Sequence, residues 1–246
     1  MSNATTASTA RKVIYDTDPG VDDAMALYYA LAHPGIDVVG ITTTFGNVTV
    51  EQAATNGLYL TEIAGRKIPV TLGVKTPWLK APGTPPDFIH GGDGLGNLPS
   101  RVATTSVLDP RPSAQFIVDM ARAHPGEITL VAVGPLGNLA TALKLEPNLP
   151  KLLKEVFIMG GTVVEPGNVS PVAEANIWND PHAADLTALD LGGGHGRYAA
   201  ALAALMVAVL VPITTPIAGL LVTVEFAWLL ANLLRAVRAW HQAANA

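Results

Sequence analysis

The chain has no cysteine among its 246 residues, which excludes disulfides, thiolate metal sites and a cysteine nucleophile. Any metal must therefore sit on oxygen or imidazole. Charge is scarce too: Asp, Glu, Lys and Arg make up 14% of the chain, against about 25% in an ordinary soluble domain. The formal net charge is -5, so the basic face by which proteins hold nucleic acid is lacking and no nucleic-acid partner is expected. Residues 1–10 have neither charged side chains nor an apolar stretch that could serve as a signal peptide, so 1–11 is expected to be a disordered lead-in. The lack of cysteine fits a reducing compartment, so a cytoplasmic location is expected.

The shortage of charge is uneven. Only four of the 56 residues from 191 onward are charged, and 199–224 holds none, interrupted by Pro212 and Pro216. That run is long enough to cross a hydrocarbon core of roughly 30 Å. Two readings stand side by side: core helices of a soluble fold, or a membrane segment. The chain therefore divides into a body at 12–190 and an apolar tail at 191–246.

The body is long enough to bury a full core without staples. Short β-branched runs at 13–15, 38–44, 70–72, 128–133 and 156–159 predict strands, and amphipathic stretches at 22–32, 51–64, 114–123 and 136–145 predict helices. Between 76 and 113 runs a Pro/Gly-rich loop, too long for an idle connection. This alternation predicts an α/β fold with a doubly wound, mostly parallel sheet. Ligands of such sheets bind outside the carboxyl ends of the strands.

The first strand ends in Asp16-Thr17-Asp18-Pro19-Gly20-Val21-Asp22-Asp23, four carboxylates in eight residues. Buried together without a cation, they would repel one another by several kcal/mol. A hard divalent cation resolves the conflict, and oxygen-only ligands favour calcium or magnesium. The bland alternative is a solvated acidic turn in which Asp22 caps a helix. The other strand ends carry Gly46-Asn47, Val133-Gly134-Pro135, Gly160-Gly161 and, beyond them, the segment Asn168 to Asn176. Two amides and Glu174 in that segment have the chemistry to hold the vicinal hydroxyls of a sugar.

Together these residues resemble the inosine-uridine-preferring nucleoside hydrolase family, which uses calcium to cleave the N-glycosidic bond of ribonucleosides. The resemblance rests on D-x-D-P-G-x-D-D-A at 16–24, Gly46-Asn47, Ile89-His90-Gly91-Gly92-Asp93-Gly94, the 131–138 run and the 168–176 segment, and it covers about 12–186. It implies a Rossmann-like fold in which Asp18, Asp23 and the main-chain carbonyl of Val133 ligate calcium. Asp18 would also take the proton from the attacking water. Asp22, Asn47, Asn168, Glu174 and Asn176 would bind ribose, with Asn47 also at the catalytic centre, and His90 would stand near the base. A homodimer or homotetramer is implied as well. The family's C-terminal stretch carries a histidine that helps the base depart and an adjacent aspartate that ligates calcium. No His-Asp pair follows Leu186 here, and His195 and His241 have no acidic neighbour.

Two alternatives remain at this point. A strand followed by Asp16-Thr17-Asp18 also resembles aspartate-nucleophile phosphatases, in which the first Asp attacks phosphorus beside magnesium. That pattern wants Thr or Val where Gly20 stands. The other alternative is a non-enzyme: a hydrolase-like remnant that binds ribosides weakly, or one that is held at a membrane by its tail.

Overall fold

The structure, a computed structural model, describes residues 10–99, 101–161, 166–192 and 198–199. In chain order it runs β1 (Arg11–Thr17), α1 (Val21–Ala32), β2 (Ile36–Thr43), α2 (Val50–Ile63), β3 (Val70–Thr71), α3 (Asp87–His90), α4 (Ser113–Ala123), β4 (Thr129–Ala132), α5 (Gly137–Leu145), α6 (Leu149–Leu152), β5 (Glu155–Ile158), α7 (Ala175–Asn179), α8 (Pro181–Gly192) and β6 (Tyr198–Ala199). The six strands lie in the order β3-β2-β1-β4-β5-β6, and every pairing is parallel. The order reverses between β1 and β4, so the carboxyl ends of these two strands flank the crevice where such sheets bind ligands.

The sequence dictates this arrangement through β1. Val13, Ile14 and Tyr15 are all buried, as a strand covered on both faces requires. Successive side chains point to opposite faces. Ile14 packs with Phe116 and Ile117 of α4 and Leu139 and Leu143 of α5. Tyr15 packs with Leu27 and Leu31 of α1 and Leu58 of α2. Helices on both faces make the sheet doubly wound, as expected. Phe116 is fully buried, and its ring lies where a Cβ on Gly40 would come within 2.3 Å, so a bare backbone in β2 makes room for it. Phe116→Ala should cost about 3–5 kcal/mol. Urea unfolding would read this as a lower midpoint at unchanged slope, and a loss below about 1 kcal/mol would contradict the packing described.

The predicted strands and helices are present with boundary shifts of one or two residues. Within the 76–113 loop, however, the chain forms α3. Four residues flanked by Pro86 and Gly91 are too few to show helical periodicity. Among the described residues no helix is long and apolar enough to cross a membrane. Apart from Ala199, the 199–224 run falls outside the described residues, as do 1–9 of the lead-in.

Main-chain bonds continue the sheet past its strand ends: Thr44 N donates to Thr17 O, Val133 N to Asp16 O, and Met159 N to Ala132 O. The first residues after β1, β2, β4 and β5 are thereby held at one edge of the sheet.

Candidate active site

Three of the four clustered acids are buried: Asp16 is 0%, Asp18 1% and Asp23 3% exposed. Asp22 is only partly covered. β1 supplies Asp16 and the turn after it Asp18, while Asp22 and Asp23 open α1. Asp23 Oδ2 accepts from Gly20 N at 2.9 Å, closing the helix start. Asn47 bridges the two deepest acids of the turn, its main-chain N donating to Asp18 Oδ2 at 2.6 Å and its Nδ2 to Asp23 Oδ2 at 2.8 Å. The Asp18 carboxylate lies between two glycines. A Cβ on Gly46, whose φ is +151°, would fall 2.0 Å from Oδ2, and one on Gly134 would fall 2.7 Å from Oδ1. Neither position accepts a larger residue without moving this acid.

The remaining expected residues occupy the same rim, with different commitments. Glu174 is buried and caps α7, its Oε2 accepting from Asn176 N at 2.9 Å and Ile177 N at 3.2 Å. Asn176 Nδ2 donates to Val133 O at 2.8 Å and Met159 O at 2.9 Å, which ties the ends of β4 and β5 and leaves its Oδ1 for other partners. The Val133 carbonyl thus already accepts one hydrogen bond and keeps a second lone pair. Asn168 is exposed, and its Oδ1 accepts from Ala175 N at 2.9 Å. His90 is buried at the end of α3. Its Nδ1 lies 3.7 Å from Asp22 Oδ1 and receives Val21 N at 3.4 Å. The amide needs the Nδ1 lone pair, so the ring is neutral there and its hydrogen sits on Nε2. Burial agrees, pulling the His90 pKa below the ordinary value against the pull of Asp22.

The electrostatics of the turn show an unmet demand for positive charge. Burial, and then the charge of Asp23, hold the Asp18 carboxyl well above the usual carboxylate range. Burial and Asp22 push Asp23 up to about 7. Asp18 Oδ1, Asp22 Oδ1 and Glu174 Oε1 are buried oxygens with no hydrogen-bond donor among the described residues. Buried carboxylate oxygens that meet no hydrogen-bond donor suit a hard divalent cation, and Asp18, Asp23 and the Val133 carbonyl are the groups that could hold one. Among the described residues no third His, Asp or Glu side chain joins these at metal-ligand spacing.

Asp16 corrects one alternative reading. An aspartate nucleophile must reach its substrate, yet Asp16 has no exposed surface, and its Oδ1 accepts from Thr42 Oγ1 at 2.5 Å and Asn138 Nδ2 at 2.7 Å. Burial raises its pKa to about 6 in spite of those two bonds. Asn138 also donates to Thr43 O and accepts from Val74 N, so this acid anchors β1, β2 and α5 beneath the site. Asn138 and Thr42 were missed at the sequence level. The available clue was a polar residue on the apolar face of a predicted helix.

The family model for inosine-uridine preferring nucleoside hydrolase matches residues 13–244. A probable uridine nucleosidase 2 of Arabidopsis thaliana is 46% identical over 178 residues, covering 72% of this chain and 55% of that protein. An inosine-uridine preferring nucleoside hydrolase of Leishmania major is 40% identical, with 72% of this chain and 56% of its own length covered. A solved plant nucleoside hydrolase superposes with a TM-score of 0.68 at 44% identity, covering 72% of this chain and 56% of that one. The chain thus spans about half the length of the relatives it matches.

Proposed function

The chain belongs to the inosine-uridine preferring nucleoside hydrolase family, and on that premise we propose that it hydrolyses the N-glycosidic bond of ribonucleosides to ribose and free base. The observation that carries the reading is the turn at the carboxyl end of β1, where Asp18 and Asp23 are buried, Asp22 is partly covered, and Asp18 Oδ1 and Asp22 Oδ1 meet no hydrogen-bond donor among the described residues. We further propose that calcium is the cation, held by Asp18, Asp23 and the Val133 carbonyl. When bound, such a cation supplies positive charge that lowers the pKa of water.

The chain's own groups then divide the work. Asp18 Oδ1, which meets no donor among the described residues, accepts the proton of the attacking water. Water oxygen bonds to C1′, the bond from C1′ to the base nitrogen breaks, and its electron pair leaves with the base, which takes up a proton. The ribosyl group passes through an oxocarbenium-like state, so oxygen acceptors around the sugar stabilise it more than the ground state. Asp22 Oδ1 and Glu174 Oε1 are acceptors of that kind. Asn47, Asn168 and Asn176 share the ribose hydroxyls with them, and His90 stands on the base side. Asn47 in addition holds Asp18 and Asp23 in register through its two donors.

The test is incubation with inosine and with uridine in phosphate-free buffer. Equal amounts of free ribose and free base are expected. Product that forms only with phosphate, as ribose 1-phosphate, would overturn hydrolysis. A second reading, riboside binding without turnover, is favoured by the lack of a His-Asp pair within 187–246. Saturable binding with no ribose release would select it.

A homodimer or homotetramer is proposed from the family and is read by light scattering. The lack of cysteine supports a cytoplasmic location. The charge-free run at 199–224 supports membrane attachment as the other reading. In that case the full chain partitions into detergent and a chain ending at Leu189 does not. A full chain that stays monodisperse without detergent would contradict attachment.

A further inference from the structure

A second polar cluster lies beside the acid turn, where none of the expected site residues fall. Its centre is Asn56 of α2, which has no exposed surface. Asn56 Nδ2 donates to Pro19 O at 3.0 Å and to Asp93 O at 2.9 Å. The first carbonyl belongs to the turn carrying Asp18 and Asp22, the second to the loop carrying His90. Asn56 Oδ1 accepts from Gln52 Nε2 at 2.9 Å and from Arg101 Nη2 at 2.5 Å. Both hydrogens and both lone pairs of the amide are therefore used.

Arg101 extends the cluster. Its guanidinium lies 3.4 Å from Asp93 Oδ2 and 4.7 Å above the Tyr59 ring, a combination that suits a planar fork and not an ammonium. Asp93 Oδ1 accepts from Leu95 N at 2.9 Å and Asn97 N at 2.8 Å, which fixes the local turn. Gly94 has φ +78°, and a Cβ there would fall 2.9 Å from both Asn56 Nδ2 and Pro19 O. The loop backbone thus approaches the amide more closely than an L side chain allows. At the other end of this short segment His90 meets Val21 N and Asp22.

We propose that Asn56 and Arg101 form a latch that seats the His90 loop on the acid turn, making both of them positioning residues that act on substrate through His90. The proposal deepens the functional reading above and rests on His90 standing beside the base. Undocking the loop would leave a buried Nδ2 hydrogen and the Asp93 carbonyl without partners, so the contacts form and break together.

The test uses Asn56→Asp, Arg101→Ala and Arg101→Lys. Asn56→Asp keeps the shape and the Arg101 contact but turns an acceptor towards the Pro19 and Asp93 carbonyls. Asn56→Asp and Arg101→Ala should each lower kcat/KM on ribonucleosides by about tenfold. Combined with His90→Ala, neither should lower it beyond His90→Ala alone, and Arg101→Lys should not restore the rate. Losses that multiply with His90→Ala would mark a merely structural role and overturn the latch. A second readout needs no turnover. Chymotryptic cleavage after the exposed Phe88 should speed up about tenfold in Arg101→Ala and in Asn56→Asp, and an unchanged rate would overturn the proposal. If the unaltered protein released no ribose, hydrolysis would fail while the cleavage rates still judged the latch.

Discussion

Asp18→Ala is expected to lower ribose release from inosine by about 10³-fold or more. The size follows from three losses at one atom group. Asp18 Oδ1 is the proposed proton acceptor, the carboxylate is one of only two side-chain donors proposed for the cation, and Asp18 Oδ2 is the acceptor that holds Asn47 N. No neighbour can substitute, because Gly46 and Gly134 enclose the carboxylate and Asp23 Oδ2 is already engaged by Gly20 and Asn47. Stability should move the other way. Without added cation, burial and the neighbouring Asp23 make an ionised Asp18 unfavourable, so the variant that lacks this carboxyl should unfold no more easily than the unaltered protein. Asp18→Asn, which keeps the volume, should be equally inactive. A steady-state assay with a thermal melt on the same samples separates these effects, and undiminished ribose release would sink the assignment of Asp18.

The second large effect concerns the sugar. 2′-Deoxyinosine should be turned over with kcat/KM about 10³-fold below that of inosine. Glu174 is buried, and its Oε1 lacks a donor among the described residues. A substrate hydroxyl would satisfy it, and a substrate without that hydroxyl leaves it desolvated and unpaired. Asn176 contributes only through Oδ1, since Val133 O and Met159 O use its Nδ2. Asn168 has the weakest claim, being exposed with its Oδ1 on Ala175 N. Glu174→Gln should therefore lose more discrimination between the two substrates than Asn168→Ala. Equal rates on inosine and its deoxy form would count against the whole ribose-binding group.

The parallel sheet was legible in the sequence because β1, β2 and β4 are short runs rich in Val, Ile and Thr that alternate with helical stretches. The acid turn was legible because four carboxylates in eight residues have few physical resolutions. The support beneath it was not. Thr42, Asn56 and Asn138 are single polar residues scattered over three elements, and only the fold brings Asn138 to Asp16 across 122 positions of chain. The neutral His90 was equally hidden, since it depends on a main-chain hydrogen from Val21. Composition showed that 199–224 lacks charge, but a charge-free run fits a protein shell and lipid alike.

The central claim is that the turn from Asp16 to Asp23 is a cation site at which riboside is cleaved. The direct measurement is ribose release from uridine and inosine by chelator-treated protein as calcium is added back. Release should be at background after chelation and rise to saturation with calcium. The melting temperature should rise over the same range, by an amount equivalent to about 2.7 kcal/mol at a hundredfold excess over Kd. Full activity after chelation, or a melting temperature indifferent to calcium, would contradict the account.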